Sequence, residues 1–148
     1  GWVCLDSRYD LDSAAGVDAA TPNLQELEAF AGHPLPGDRD VVDAAERLRS
    51  RLGARFVLAT RGSRGMTLVE EGCEPLHIPV FGSDEVADVT GAGDTVLAVL
   101  SGALAAGASP RLAAELANVA GGLVVMRLGT ATVSRAELRE ATAHLERG

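Results

Sequence analysis

Lysine is missing from this chain: all 13 of its basic residues are arginine. That absence removes the lysine of a Walker-A phosphate loop, a Schiff-base lysine and the strand lysine of protein kinases together. Cysteine is scarce. Cys4 and Cys73 stand far apart, with no Cys-x-x-Cys and no histidine at ligand spacing, so two idle thiols in a reducing compartment are expected. His33, His77 and His144 are scattered and suggest no chemistry by their spacing. Positive charge is short as well, and a net charge of -8 makes a nucleic-acid backbone an unfavourable partner. No apolar stretch approaches about 18 residues without glycine or polar breaks, so no membrane span is expected. The opening Gly1-Trp2-Val3-Cys4-Leu5-Asp6 lacks the basic region of a signal peptide. These absences leave a cytoplasmic protein, and 47% apolar residues over 148 positions suffice for one domain with a real core.

Taken in order, the chain alternates strand and helix signals. Trp2 to Leu5 reads as a short buried parallel strand ending at an acid, and a brief strand is expected near Ala19-Ala20. Asn23-Leu24-Gln25-Glu26 opens a helix with Leu24, Leu27 and Phe30 on one face, Asn23 and Glu26 forming a capping box. Asp38 to Leu52 is an amphipathic helix. Its stripe is Val41, Val42, Ala45, Leu48 and Leu52, with Asp43 and Arg47 paired on the wet side and Gly53 as its stop. Arg55 to Thr60 is the next strand, and Thr60-Arg61-Gly62-Ser63-Arg64-Gly65 turns into Met66 to Glu70 as a hairpin. Pro75 to Phe81, bounded by prolines, reads as an edge strand. Ser109-Pro110 starts a helix to about Leu128 with Leu112, Leu116, Val119, Leu123 and Met126 on its apolar face. Ser134 and Glu137 box the start of the last helix. The rhythm is that of a parallel sheet with crossover helices.

One stretch carries chemistry: Asp88-Val89-Thr90-Gly91-Ala92-Gly93-Asp94-Thr95, followed by the apolar run Val96 to Ala106. That run reads as a buried helix, apolar nearly all round. Gly91-Ala92-Gly93 then sits at its N-terminus, where uncovered amides and the macrodipole attract an anion. Asp94 falls in the first turn. Capping is one account of it. The other starts from repulsion: a carboxylate facing a phosphate gains a binder nothing, whereas a site that takes a proton from an attacking hydroxyl needs such a base.

The octet resembles the second signature of the ribokinase/PfkB family of carbohydrate kinases, Asp-Thr-x-Gly-Ala-Gly-Asp. Asp88, Gly91, Ala92, Gly93 and Asp94 match it, with Val89 where the family often has threonine. The resemblance runs from Asp6 to Glu137 and corresponds to the C-terminal half of such a kinase. Gly65-Met66-Thr67-Leu68 and Leu128 to Ser134 look most like the heptose-7-phosphate kinase domain of bifunctional ADP-heptose synthesis enzymes. The resemblance implies a three-layer ribokinase-like α/β fold, a mainly parallel sheet flanked by helices, with residues 1–148 as its ATP-binding and catalytic-base portion. It implies ATP-dependent phosphorylation of a sugar or sugar phosphate, D-glycero-D-manno-heptose 7-phosphate among them. Asp94 would be the base, with the amides of Gly91, Ala92 and Gly93 as anion hole. Asn23 and Glu26 match an Asn-x-x-Glu motif that orders phosphates and Mg2+, with Glu26 nearest the metal. Thr60, Gly62 and Gly65 match a nucleotide-contacting run, with Arg61 and Arg64 as phosphate neighbours. Asn118 matches an asparagine near the adenine, beside its plainer reading as a satisfied core residue. Asp88 and Thr90 match part of a monovalent-cation site, for which K+ is the natural occupant.

The family's kinases are roughly twice this length, and the half without a counterpart here supplies most sugar contacts. A fragment, a split protein or a reduced relative would each account for that. Self-association or pairing with an N-terminal half is expected, and the isolated chain should show little or no sugar kinase activity. A nucleotide-binding regulatory module is the alternative from another class. A Rossmann-type dinucleotide binder ranks last, because no Gly-x-Gly-x-x-Gly follows the first strand.

Overall fold

A computed structural model describes residues 1–6, 16–82, 92–126 and 134–143. They divide into two compact units, one of residues 1–61 and 65–78 and one of residues 62–64 and 79–148.

The first unit is built on five strands: β1 (Cys4–Leu5), β2 (Ala19–Ala20), β3 (Phe56–Thr60), β4 (Met66–Glu70) and β5 (Leu76–Ile78). They lie side by side in chain order, the first three parallel and β4 and β5 each antiparallel to the strand before. Between β2 and β3 run α1 (Leu24–Ala31) and α2 (Asp38–Leu52), the crossover that two adjacent parallel strands require. Both helices end on a glycine in the left-handed region, Gly32 at φ 81° and Gly53 at φ 67°, where a side chain would be strained. The stripe Val41, Ala45, Leu48 and Leu52 packs with Leu27, Val57, Ala59 and Val69 into one buried cluster. The limits of α2, the hairpin and the edge position of β5 agree with the sequence.

Two expectations change here. Trp2 to Leu5 is not a buried strand: only two residues pair, β1 ends the sheet order, and Val3 is 55% exposed. Its backbone is held by Asp18, whose carboxylate accepts from Val3 N–H at 2.8 Å, while the Trp2 ring lies under the Arg55 guanidinium. Arg47, expected to pair with Asp43, instead places its guanidinium carbon 5.8 Å from the Phe30 ring centroid. Within α2, Glu46 pairs with Arg49, whose guanidinium also donates to Ala54 O beyond the helix end.

The second unit is helical: α3 (Ala92–Ala105), α4 (Pro110–Met126) and α5 (Arg135–Thr142). Each long helix shows only part of the facing its large residues suggested. α3 is buried along Val96, Leu100 and Leu104, but Asp94, Ala98 and Gly102 are exposed, so it is not buried all round. In α4 the buried positions are Ala113, Ala114, Ala117 to Gly122 and Val124; of the expected face Val119 is buried, whereas Leu112 is 41% exposed and Leu116 and Leu123 are half-buried. Small residues win this face because the backbones approach closely. A Cβ on Gly121 would come within 2.9 Å of a Val96 methyl, and one on Gly122 would collide with the Phe81 carbonyl. α5 starts with the expected reciprocal box of Ser134 and Glu137. Among the described residues no helix is long and apolar enough to cross a membrane.

Candidate functional site

In an open α/β sheet, ligands bind beyond the C-terminal ends of the parallel strands. In the first unit that end gathers Asn23, Glu26 and Thr60. Thr60 closes β3, its N–H donates to Pro22 O at 2.9 Å, and it forms an isolated parallel bridge with Asn23. Asn23 is exposed at the N-cap of α1. Its Oδ1 accepts from Glu26 N–H at 2.8 Å, and Glu26 Oε2 accepts from Asn23 N–H at 2.8 Å. The capping account of this pair is thus realised in full.

Beyond Thr60 the chain turns back through a short 3-10 turn at Gly62–Arg64, closed by the Arg61 N–H donating to Gly65 O at 2.8 Å. Gly62 at φ 56° and Gly65 at φ 79° both lie in the left-handed region, so the turn needs glycine at these two places whatever it binds. Arg61 is not the exposed phosphate neighbour its position suggested. Its side chain is 3% exposed and its Nη1 donates to Asp38 Oδ1 at 2.7 Å. That carboxylate already neutralises the guanidinium. The same Nη1 stands 3.4 Å from Thr67 Oγ1, which is 3.0 Å from His77 Nδ1. Sequence reasoning passed over this chain of four side chains. Its signal was a threonine in the otherwise apolar register of β4, facing His77 across the ladder.

Among the described residues no three of His, Cys, Asp and Glu stand together as a metal cage. Magnesium does not ask for one, since it keeps several waters and leans on one or two carboxylates and the phosphates themselves. The chemistry of Glu26 fits that demand: a carboxylate supplies the oxygen ligands that magnesium takes.

In the second unit α3 begins at Ala92, with Gly93 and Asp94 exposed in its first turn. Among the described residues a Cβ on Gly93 would meet nothing within 4 Å. The first amides of a helix have no partner within it, and Ala92 and Gly93 bring no side chain that would cap them. Asn118, 7% exposed in α4, donates from Nδ2 to Pro79 O at 2.8 Å. This bond gives the plainer reading of Asn118 its observation: it fastens the segment after β5 to α4. Asp88, Thr90 and Gly91 lie outside the described residues.

Comparison with known proteins places these residues in a lineage. Residues 6–137 match the family model described as pfkB family carbohydrate kinase. The chain is 50% identical over 140 residues to the bifunctional protein HldE of Chromohalobacter salexigens, covering 94% of this chain and 29% of that protein. It is 48% identical over 132 residues to the protein of the same name from Nitrosococcus oceani, covering 89% and 28%. Among solved structures, ribokinase from Thermotoga maritima superposes with a TM-score of 0.82 at 29% identity, covering 97% of this chain and 49% of that one. Arabidopsis thaliana ribokinase, solved with ribose and ATP, gives 0.81 at 28% identity, covering 95% and 47%. The fold is therefore ribokinase-like. The chain spans under a third of the length of the curated relatives and about half that of the ribokinases.

Proposed function

Because the chain belongs to the pfkB family of carbohydrate kinases, we propose that residues 1–148 form the nucleotide-binding and proton-accepting portion of a kinase domain. That domain transfers the ATP γ-phosphoryl group to a hydroxyl of a sugar or sugar phosphate. The observation that carries this reading is Asp94, exposed in the first turn of a helix that starts directly after Gly91. Asp94 accepts the hydroxyl proton as the oxygen attacks phosphorus. The amides of Gly91, Ala92 and Gly93, at the positive end of the α3 dipole, face the charge that gathers on the transferred group. Losing one such preorganised donor costs on the order of 3 kcal/mol of barrier.

Asn23 and Glu26 stand at the end of the parallel strands, where they would order the phosphates and hold Mg2+. Magnesium supplies charge neutralisation across the phosphates. Thr60 and the turn closed by Gly62 and Gly65 line the nucleotide, and Asn118 keeps the segment at Pro79 in register beside the adenine. Asp88 and Thr90 contribute to a K+ site. The similarity to HldE proteins and the matching Gly65 to Leu68 run favour heptose 7-phosphate as acceptor. The remaining share of such a kinase supplies most sugar contacts, and the chain works with it or with a further copy of itself.

The test is labelled phosphate transfer from ATP to heptose 7-phosphate, ribose and fructose, by the 148-residue chain and by the longest product its gene encodes. The chain alone is expected to bind MgATP and transfer little. Robust turnover by the chain alone would refute the assignment of the sugar contacts elsewhere. MgATP binding without transfer by any product would favour a regulatory nucleotide module instead.

A further inference from the structure

Arg61 stands between Thr60 and Gly62, yet its side chain turns away from solvent into the first unit. It ties to Asp38, the first residue of α2, and to the hydroxyl of Thr67 on β4, which is fully buried. Thr67 is tied in turn to His77 on β5. One guanidinium thus links the turn after β3 to a helix and to the next two strands. The arrangement is not the one that serves stability best. Arg61 Nε is buried with no partner among the described residues, and an unmet charged donor in the interior is unfavourable. An apolar side chain of the same length would fill the space without that penalty. What it would not do is fix a direction. Two bonds from one Nη1, together with the Arg61 N–H to Gly65 O, hold residue 61 at both backbone and side chain.

We propose that Arg61 is a positioning residue for the nucleotide turn, setting the placement of Thr60, Gly62 and Gly65 through Asp38 and Thr67 without touching the nucleotide. The inference rests on the reading of that turn as the nucleotide's. Arg61 contributes order there, and its charge is spent on Asp38.

The experiment compares Arg61→Met, Arg61→Lys, Thr67→Val and Thr67→Ser in the 148-residue chain. Amide hydrogen exchange over residues 60–66 and calorimetric titration with MgATP are both read. Arg61→Met is expected to keep its core strand amides protected, while the amide at position 61 exchanges faster and MgATP binds about tenfold more weakly. Thr67→Val should move both readouts the same way by less. Arg61→Lys, which keeps the charge toward Asp38, and Thr67→Ser, which keeps the hydroxyl, should recover part of the loss. Wild-type exchange and binding in Arg61→Met would overturn the proposal. So would faster exchange spread equally over β3 and β4, which marks a merely structural loss. If the wild-type chain binds no MgATP, the nucleotide reading falls, and faster exchange confined to the turn would still support the tether.

Discussion

Three helices of this protein begin in two different ways. α1 and α5 each start with a reciprocal box, Asn23 with Glu26 and Ser134 with Glu137, so that side chains satisfy the first amides. α3 starts at Ala92 after Gly91, and none of Gly91, Ala92 and Gly93 has a side chain able to do the same. A boxed start is stable on its own, typically by about 1 kcal/mol over alanine. A start of small residues forgoes that gain, because those residues bring no side chain of their own to the first amides. On the function proposed above, the difference separates a helix end that completes the fold from one that serves chemistry. Asn23 and Glu26 are the instructive middle case, because they are boxed and yet stand beside Thr60 at the strand ends where ligands bind.

The largest expected effect breaks the comparison at its centre. Asp94→Asn should slow phosphoryl transfer by about 10²- to 10⁴-fold, the usual contribution of a positioned base, in steady-state assays of an active product. Gly93→Ala sharpens the contrast, because a Cβ there meets nothing within 4 Å among the described residues. It should raise thermal stability by up to about 1 kcal/mol. Transfer should slow about tenfold, near 1.4 kcal/mol of barrier, as the new methyl crowds the anion. Faster transfer would sink the anion-hole assignment.

Next comes the pair Asn23→Ala and Ser134→Ala. Each should lose about 1 kcal/mol in denaturant melts, but only Asn23→Ala should also weaken MgATP. Equal binding by both variants would leave Asn23 as a cap alone.

The smallest effect lies at the opposite pole of a helix. The hydrogen bond from Arg49 holds the Glu46 carboxyl below its ordinary value of 4.5, against a weaker opposing push from burial. A lowered folded value means the pair's contribution is present above 4.5 and is lost as pH falls through the folded value. Glu46→Gln should therefore flatten the acid limb of the stability curve slightly, since an ion pair this exposed is worth little.

Much of the first unit was legible because its signals are local. Breakers and apolar period bounded α2 at Asp38 and Leu52, and the spacing of Asn23 and Glu26 announced their box. The second unit was legible in extent but not in facing. Reading by residue size chose Leu112 and Leu116 along with Val119, of which only Val119 is buried, whereas close helix contact also selects Ala113 and Ala117. Arg61 was misjudged for another reason: its partner Asp38 lies 23 positions away, and no local pattern announces a pairing that tertiary structure makes. At the centre of the candidate site, the placing of Gly93 and Asp94 in a first helical turn followed from two glycines ahead of an apolar run. Their chemistry is what experiment has to decide.

The most direct measurement is calorimetric titration of MgATP into the wild-type chain and into Asp94→Asn. If Asp94 is a base and not a ligand, both proteins bind, and the variant binds as tightly or more tightly, because a carboxylate facing phosphate has been removed. Clearly weaker binding by Asp94→Asn, with its fold intact, would make Asp94 part of the nucleotide's support and contradict its assignment as the proton acceptor.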